Sequence, residues 1–174
     1  MKRQIKEAAE EEGADLVGFV GMDLETVVIL GYAGEGHNYL KGLDERTRRV
    51  ARRIQEAGFR ASIISACDGN GISLRRLAEE AGLGFIGRSG LLITERFGPD
   101  VRFAGIRTST KLALVKKEKT KERCNGCSLC LVSCPADAIK NRDVERCRGY
   151  VTMHDKDRCT ACIDVCPFGR AGND

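Results

Sequence analysis

Tryptophan is absent from this 174-residue chain, aromatic residues make up only 5% of it, and it holds two histidines. None of these rings falls in the basic run of residues 116–123, which argues against single-stranded RNA stacking there. Proline occurs three times, and two of the three directly follow a cysteine, at Cys134–Pro135 and Cys166–Pro167. Long apolar runs are missing too: nothing approaches the roughly 20 apolar residues of a membrane span. Met1–Gly13 carries basic residues but no apolar stretch of about seven, so it does not read as an export signal. The expectation is a cytoplasmic protein with reduced thiols and no membrane partner. A formal net charge of +4 is too small to imply nucleic acid by itself.

Cysteine is what the chain does have. Eight of its nine cysteines lie between Cys124 and Pro167, in two copies of one pattern. The first reads Cys124-x2-Cys127-x2-Cys130-x3-Cys134-Pro135, and the second Cys147-x11-Cys159-x2-Cys162-x3-Cys166-Pro167. Cys127 to Cys159 and Cys134 to Cys166 are each 32 positions apart, so the copies are in register. Three thiolates two residues apart can wrap one loop around three corners of a cubane, while the fourth points at the other cluster. Proline after that fourth cysteine fixes φ and removes an N–H, which suits a sharp exit from a cluster loop. The spacing therefore predicts two 4Fe–4S clusters. One is held by Cys124, Cys127, Cys130 and Cys166, the other by Cys134, Cys147, Cys159 and Cys162.

The competing uses of cysteine fit less well. Structural zinc takes paired Cys-x2-Cys knuckles, which would leave Cys130 without a role. A disulfide framework needs an oxidising compartment. Just before the first loop stands KKEKTKER, residues 116–123, with five basic and two acidic side chains. It reads as a solvated linker, or as a docking surface for an acidic donor protein or an RNA backbone.

Ahead of that linker, helix and strand signals alternate. Lys2–Glu12 reads as a helix with Ile5, Ala8 and Ala9 on one face, ended by Gly13. Val27–Tyr32 is a continuous apolar run suited to a strand covered on both faces. Glu45–Ala57 reads as a second helix and Arg60–Ser65 as a strand. Ser73 is placed to cap a helix over Leu74, Leu77, Ala78 and Ala81, with Gly82 as its stop. Leu91–Thr94 and Val101–Thr108 read as further strands. After a leading helix the order β-α-β-α-β-β indicates a modest α/β (α+β) domain.

The segment LAEEAGLGFIGRSGLLITERFGPDVRFAGIRTST, Leu77–Thr110, has glycines at 82, 84, 87 and 90 that let backbone approach a large group or a neighbouring element. Its wording resembles the corrinoid-dependent reductases: the reductive dehalogenases and the epoxyqueuosine reductases. Both families carry a similar AGLG-x-x-G-(R/K) segment followed by a double-cubane ferredoxin domain. The tail CRGYVTMHDKDRCTACIDVCPF is similar to theirs as well, isolated Cys147 included. The resemblance implies a small nitroreductase-like domain over residues 1–115 and a bacterial-ferredoxin-like module over 116–174. It also implies a cobalamin without a protein ligand below the cobalt, reduced by the nearer cluster. Arg88, Ser89, Gly90 and Phe103 then fall in the corrinoid-contacting segment. Asp68 matches the acid proposed for the epoxyqueuosine family, where a carboxyl group donates a proton to the reduced substrate carbon. By itself, Asp68 in CDGNG is an ordinary turn residue. Departures are the short stretch from Asp15 to Val27, Phe168 where the families favour Trp, the lack of helical repeats beyond the clusters, and Tyr32 and Tyr39, which match no proton-donor motif.

Other residues carry two readings each. Cys67 is a buried free thiol or a redox thiol at a strand end. His37 is a surface histidine or a metal ligand, and His154 faces solvent or donates to a cluster sulfur. Gly31, Gly34 and Gly36 lack the spacing of a dinucleotide fingerprint. Three functions stay open. The first is a compact corrinoid-dependent reductase acting on a small molecule or a modified nucleoside, fed by a redox partner protein and completed as a homodimer. The second is a two-cluster electron carrier or corrinoid-reactivating protein. The third is a flavin-dependent iron–sulfur oxidoreductase.

Overall fold

A computed structural model describes residues 1–22, 24–34, 39–64, 72–112, 124–154 and 159–169. Helix α1, Lys2–Glu11, leads into strands β1, Leu16–Met22, and β2, Glu25–Ala33. Helix α2, Tyr39–Glu56, strand β3, Ala61–Ile64, and helix α3, Leu74–Glu80, follow. A short hairpin of β4, Phe85–Ile86, and β5, Leu92–Ile93, precedes the long strand β6, Val101–Thr108. The main sheet has the order β1-β2-β6-β3 and every pairing in it is antiparallel.

The apolar run of β2 lies where its composition demands, in the interior of the sheet. Residues 26–32 are buried throughout, because helices or the hairpin cover both faces. Alternate side chains of a strand point to opposite faces. Val28, Leu30 and Tyr32, with Ala104 and Ile106 of β6, meet Ile5 and Ala9 of α1 and Leu43, Val50, Ala51 and Ile54 of α2. Val27, Ile29, Val101 and Phe103 form a second core with Leu74 and Ala78 of α3 and Leu92 of β5. Each large side chain withdrawn from water in this way contributes about 1.5–3 kcal/mol. The helix α3 begins as expected: the Ser73 hydroxyl accepts from the Arg76 N–H at 3.4 Å.

Two features depart from the sequence expectation. Strand β1 occupies a stretch to which the sequence assigns no element, and α2 starts six residues earlier than its periodicity suggests. The continuous run of β2 is covered on both faces, as its composition suggests, and it sits in an antiparallel sheet. Glycine masks β1, because Gly18 and Gly21 lower the strand signal. A Cβ on Gly18 would stand 2.7 Å from the Ala81 Cβ, so glycine is needed for the end of α3 to lie on this strand.

Where β6 ends, three buried threonines hold the chain. The Thr26 hydroxyl donates to the Thr110 carbonyl at 2.7 Å, and the Thr108 and Thr110 hydroxyls lie 3.0 Å apart. Paired in this way, they satisfy polar groups that would otherwise be costly to bury. The expected domain boundary between 115 and 116 falls outside the described residues, as do Asp68, Cys67 and His37.

The hairpin depends on one close approach. A Cβ on Gly84 would lie 2.1 Å from the Ile93 carbonyl oxygen. Gly84→Ala should therefore force β4 and β5 apart and destabilise the protein by about 1–3 kcal/mol. Gly149→Ala, in helix α6 (Val144–Met153) with open space around its Cβ, should be neutral or stabilising by up to about 1 kcal/mol. Anaerobic urea unfolding of the two variants checks the contrast.

Candidate metal centre

The cysteine module is built from short elements. Residues 124–128 form a loop, followed by α4, Leu129–Val132, α5, Ala138–Asn141, and α6, Val144–Met153. Helix α7, Ala161–Asp164, and a 3-10 turn, Pro167–Gly169, complete it. Helix α4 packs on α7, and α5 on α6. The loop is shaped by its own polar atoms: the Asn125 Oδ1 accepts from the Cys127 N–H at 3.1 Å, and the Ser128 hydroxyl donates to the Gly126 carbonyl at 3.1 Å. Gly126 and Ser128, on either side of Cys127, both have left-handed backbone, with φ of 74° and 65°. Asp143 caps α6, its Oδ1 accepting from the N–H groups of Glu145 and Arg146 at 3.0 and 3.1 Å.

The thiols fall into two neighbourhoods. Burial, then the charges of Cys124 and Cys127 and more weakly Cys166, push the Cys130 thiol up. Burial pushes Cys162 up to about 11, with the charges of Cys159, Cys147 and Cys134 adding to it. Cys147 is raised first by burial and then by Cys134 and Cys159, while Arg148 opposes. As a residue Cys147 is exposed, so burial matters less there than at the more enclosed Cys162. One group thus comprises Cys124, Cys127, Cys130 and Cys166, and the other Cys134, Cys147, Cys159 and Cys162. In each, a cysteine from one run joins three from the other part of the sequence.

Such groups suit a cluster better than a lone ion. A tetrahedral zinc with bonds of about 2.3 Å draws its sulfurs to roughly 3.8 Å from one another. Among the described residues no three His, Cys, Asp or Glu side chains converge on a single ion in that way. A four-iron cube carries its thiolates at separate corners and neutralises charges that otherwise repel. Four thiols to each group are the donor set that such a cluster takes.

Two contacts seat this module against the hairpin of the α/β domain. The Arg88 Nη1 donates to the Ser128 hydroxyl oxygen at 2.8 Å and to the Gly126 carbonyl at 3.3 Å. Phe85 of β4 meets Phe168 edge to face, with centroids 5.5 Å apart at 81°. Both contacts reach the first thiol group: one at its loop, the other two residues beyond Cys166. Neither the link from Arg88 to the loop nor the role of Phe85 could be read from sequence, since both join segments about 40 or more residues apart.

The other singled-out residues are dispersed. The Ser89 hydroxyl accepts from the Leu91 N–H at 3.4 Å, and Gly90 is exposed with its carbonyl accepting from Arg75. Phe103 is only 6% exposed and belongs to the second core. Tyr32 is buried in the first core beneath the Arg46 guanidinium. His154 is exposed and lies against the Tyr150 ring, at 4.4 Å between centroids.

Comparison with known proteins agrees with this geometry. Residues 118–140 match the family model of the 4Fe-4S binding domain. Epoxyqueuosine reductase of Synechococcus sp. (strain RCC307) is 28% identical over 152 residues, covering 79% of this chain and 47% of the relative. Tetrachloroethene reductive dehalogenase of Desulfitobacterium hafniense is 30% identical over 168 residues, covering 82% of this chain and 30% of that protein. The chain thus spans about half the length of the first relative and under a third of the second. An epoxyqueuosine reductase solved with an epoxyqueuosine-modified tRNA-Tyr stem loop superposes with a TM-score of 0.77 at 18% identity, over 99% of this chain and 66% of the other. A reductive dehalogenase structure associated with B12-dependent dehalogenation gives 0.74 at 21%, over 95% and 31%.

Fold and site together define a protein with a mixed α/β domain and a ferredoxin-like, 4Fe-4S-binding module. Relatives, structural neighbours and the 4Fe-4S match all fit the corrinoid-dependent reductase superfamily that carries a ferredoxin domain. No helix among the described residues is long and apolar enough to cross a membrane.

The ring pair is open to direct measurement. Phe85→Ala and Phe168→Ala in a double-mutant cycle should show a coupling of about 0.5–1.5 kcal/mol. Anaerobic urea unfolding of the iron-loaded protein reads it, and additive effects would mean that the rings do not support each other.

Proposed function

We propose that the chain is the electron-handling core of an iron–sulfur reductase. Two 4Fe–4S clusters, one on Cys124, Cys127, Cys130 and Cys166 and one on Cys134, Cys147, Cys159 and Cys162, serve an acceptor at the α/β domain, and that acceptor is a cobalamin. The observation that carries this reading is the grouping of thiols into two quartets, in which Cys130, Cys147 and Cys162 are raised in pKa first by burial and then by the charge of neighbouring cysteines. Thiols that repel in this way need a metal to hold them deprotonated together. Bound there, the clusters supply one-electron transfer, at potentials that their surroundings set.

What the protein's own residues contribute is holding and orientation. The cysteines hold the iron. Arg88 and Phe85 fix the module on the hairpin, so that the Cys124 quartet is the one tied to the α/β domain. Asp68 is assigned to deliver a proton from its carboxyl group to the substrate. For the corrinoid the support is the likeness to relatives. Phe103, buried in the second core, does not fit as a cofactor contact. Arg88 is engaged by the cysteine loop. The substrate class is a small organic molecule or a modified nucleoside, the donor is a redox partner protein in the cytoplasm, and a second copy of the chain completes the acceptor's pocket. Residues 1–115 and 116–174 are the two working units.

Anaerobic purification with metal analysis tests the reading. About eight irons together with cobalt are expected. Eight irons without cobalt, and no spectral change on adding cobalamin, would remove the corrinoid. Pairs of cysteine variants test the quartets: Cys124→Ser with Cys166→Ser should cost one cluster, about four irons, whereas Cys124→Ser with Cys134→Ser should cost both. Equal losses from the two pairs would overturn the crossed assignment. Asp68→Asn should abolish turnover while leaving iron and cobalt content unchanged, and undiminished turnover would exclude it as the acid.

A further inference from the structure

We infer that Arg88 is a positioning residue for the Cys124–Cys130 loop, and that its guanidinium sets the reduction potential of the cluster held there without affecting the other. The inference rests on the reading of these cysteines as cluster ligands. Its geometric basis is a three-way tie around Cys127. Arg88 donates to both the Ser128 hydroxyl oxygen and the Gly126 carbonyl, and the Ser128 hydroxyl donates to that same carbonyl. Ser128 is a non-glycine residue in the left-handed region, a conformation that persists only where surroundings over-determine it. The tie from Arg88 is such a surrounding, and it comes from outside the module.

The anchor is itself braced. Arg88 sits in the turn between β4 and β5, where the Ile86 N–H donates to the Glu79 carboxylate of α3 at 2.8 Å and Arg75 of α3 donates to the Gly90 carbonyl. Among the described residues no carboxylate forms an ion pair with Arg88, so its positive charge is directed at the cysteine loop uncompensated. A cation beside a cluster favours the more negative, reduced form, and solvent exposure of the side chain screens the effect without removing it. The second quartet lacks this contact and has its own cation, Arg148, near Cys147. Arginine suits the position because its planar fork bonds two acceptors at once, whereas a lysine would keep the charge and lose the fork.

The experiment uses the full chain, loaded anaerobically and titrated with dithionite while electron paramagnetic resonance follows each cluster. Arg88→Gln should keep about eight irons but lower one midpoint. At a fixed potential the reduced-to-oxidised ratio of that cluster should fall about three- to tenfold, tenfold being about 59 mV for one electron. The signal that moves should be the one lost in Cys124→Ser. Arg88→Lys should hold both midpoints near their original values yet release iron to a chelator severalfold faster. Midpoints that stay put in Arg88→Gln, or that shift together, overturn the proposal. So does an Arg88→Lys protein that releases iron no faster than the parent, a comparison that still decides the matter should Arg88→Gln fail to load. A parent protein that binds zinc alone would instead refute the cluster assignment before any arginine is changed.

Discussion

Convergence of eight thiols on two small sites is the constraint on which the C-terminal module depends. Held as thiolates, as metal binding requires, the eight cysteines would repel within each of two groups unless positive charge sat among them. The groups are crossed: Cys166 joins the loop that begins at Cys124, and Cys134 joins the group that includes Cys147, Cys159 and Cys162. Neither group can be complete until both ends of the module have folded together. Helices of four residues, such as α4, α5 and α7, have little stability in isolation. What holds them is packing against each other and the requirement that the thiols converge.

The α/β domain solves a different problem, that of carrying an apolar strand with no exposed face. Strand β2 lies between two cores, one under α1 and α2 and the other under α3 and the β4–β5 hairpin. The second core is where structure meets chemistry. Phe103 of β6 and Leu92 of the hairpin share this core, while Phe85 and Arg88 of the hairpin reach the cysteine module. Packing in this core therefore sets where the module stands. The glycines of the AGLGFIGRSG segment belong to that arrangement. Gly84 admits the Ile93 carbonyl, and a Cβ on Gly87 would come within 2.5 Å of the Ile93 side chain.

Much of this was legible in the linear chain. The strand over Val101–Thr108 has the bounds its composition suggests, α1 differs by one residue, and Ser73 caps α3. Strand β1 was not legible, since its glycines answer to a neighbour, Ala81, that no local window contains. The start of α2 escaped because Tyr39–Asp44 lacks the regular apolar spacing of the later turns. At the site, the cysteine pattern was plain. The placement of Phe103 was not: a residue in a family-like segment carries no mark of which sheet face it will point to. Register decides that, and Phe103 opposite Gly31 faces the second core.

By itself, then, the order of residues determined the eight thiols, their two-fold repeat and most of the helices and strands of the α/β domain. These follow from local spacing and composition. Only the tertiary structure decided that Arg88 and Phe85 hold one end of the cysteine module and that the sheet is wholly antiparallel. Those outcomes depend on pairings between segments far apart in the chain, and the energy of such pairings comes from burial and hydrogen bonding that exist only once the segments have met.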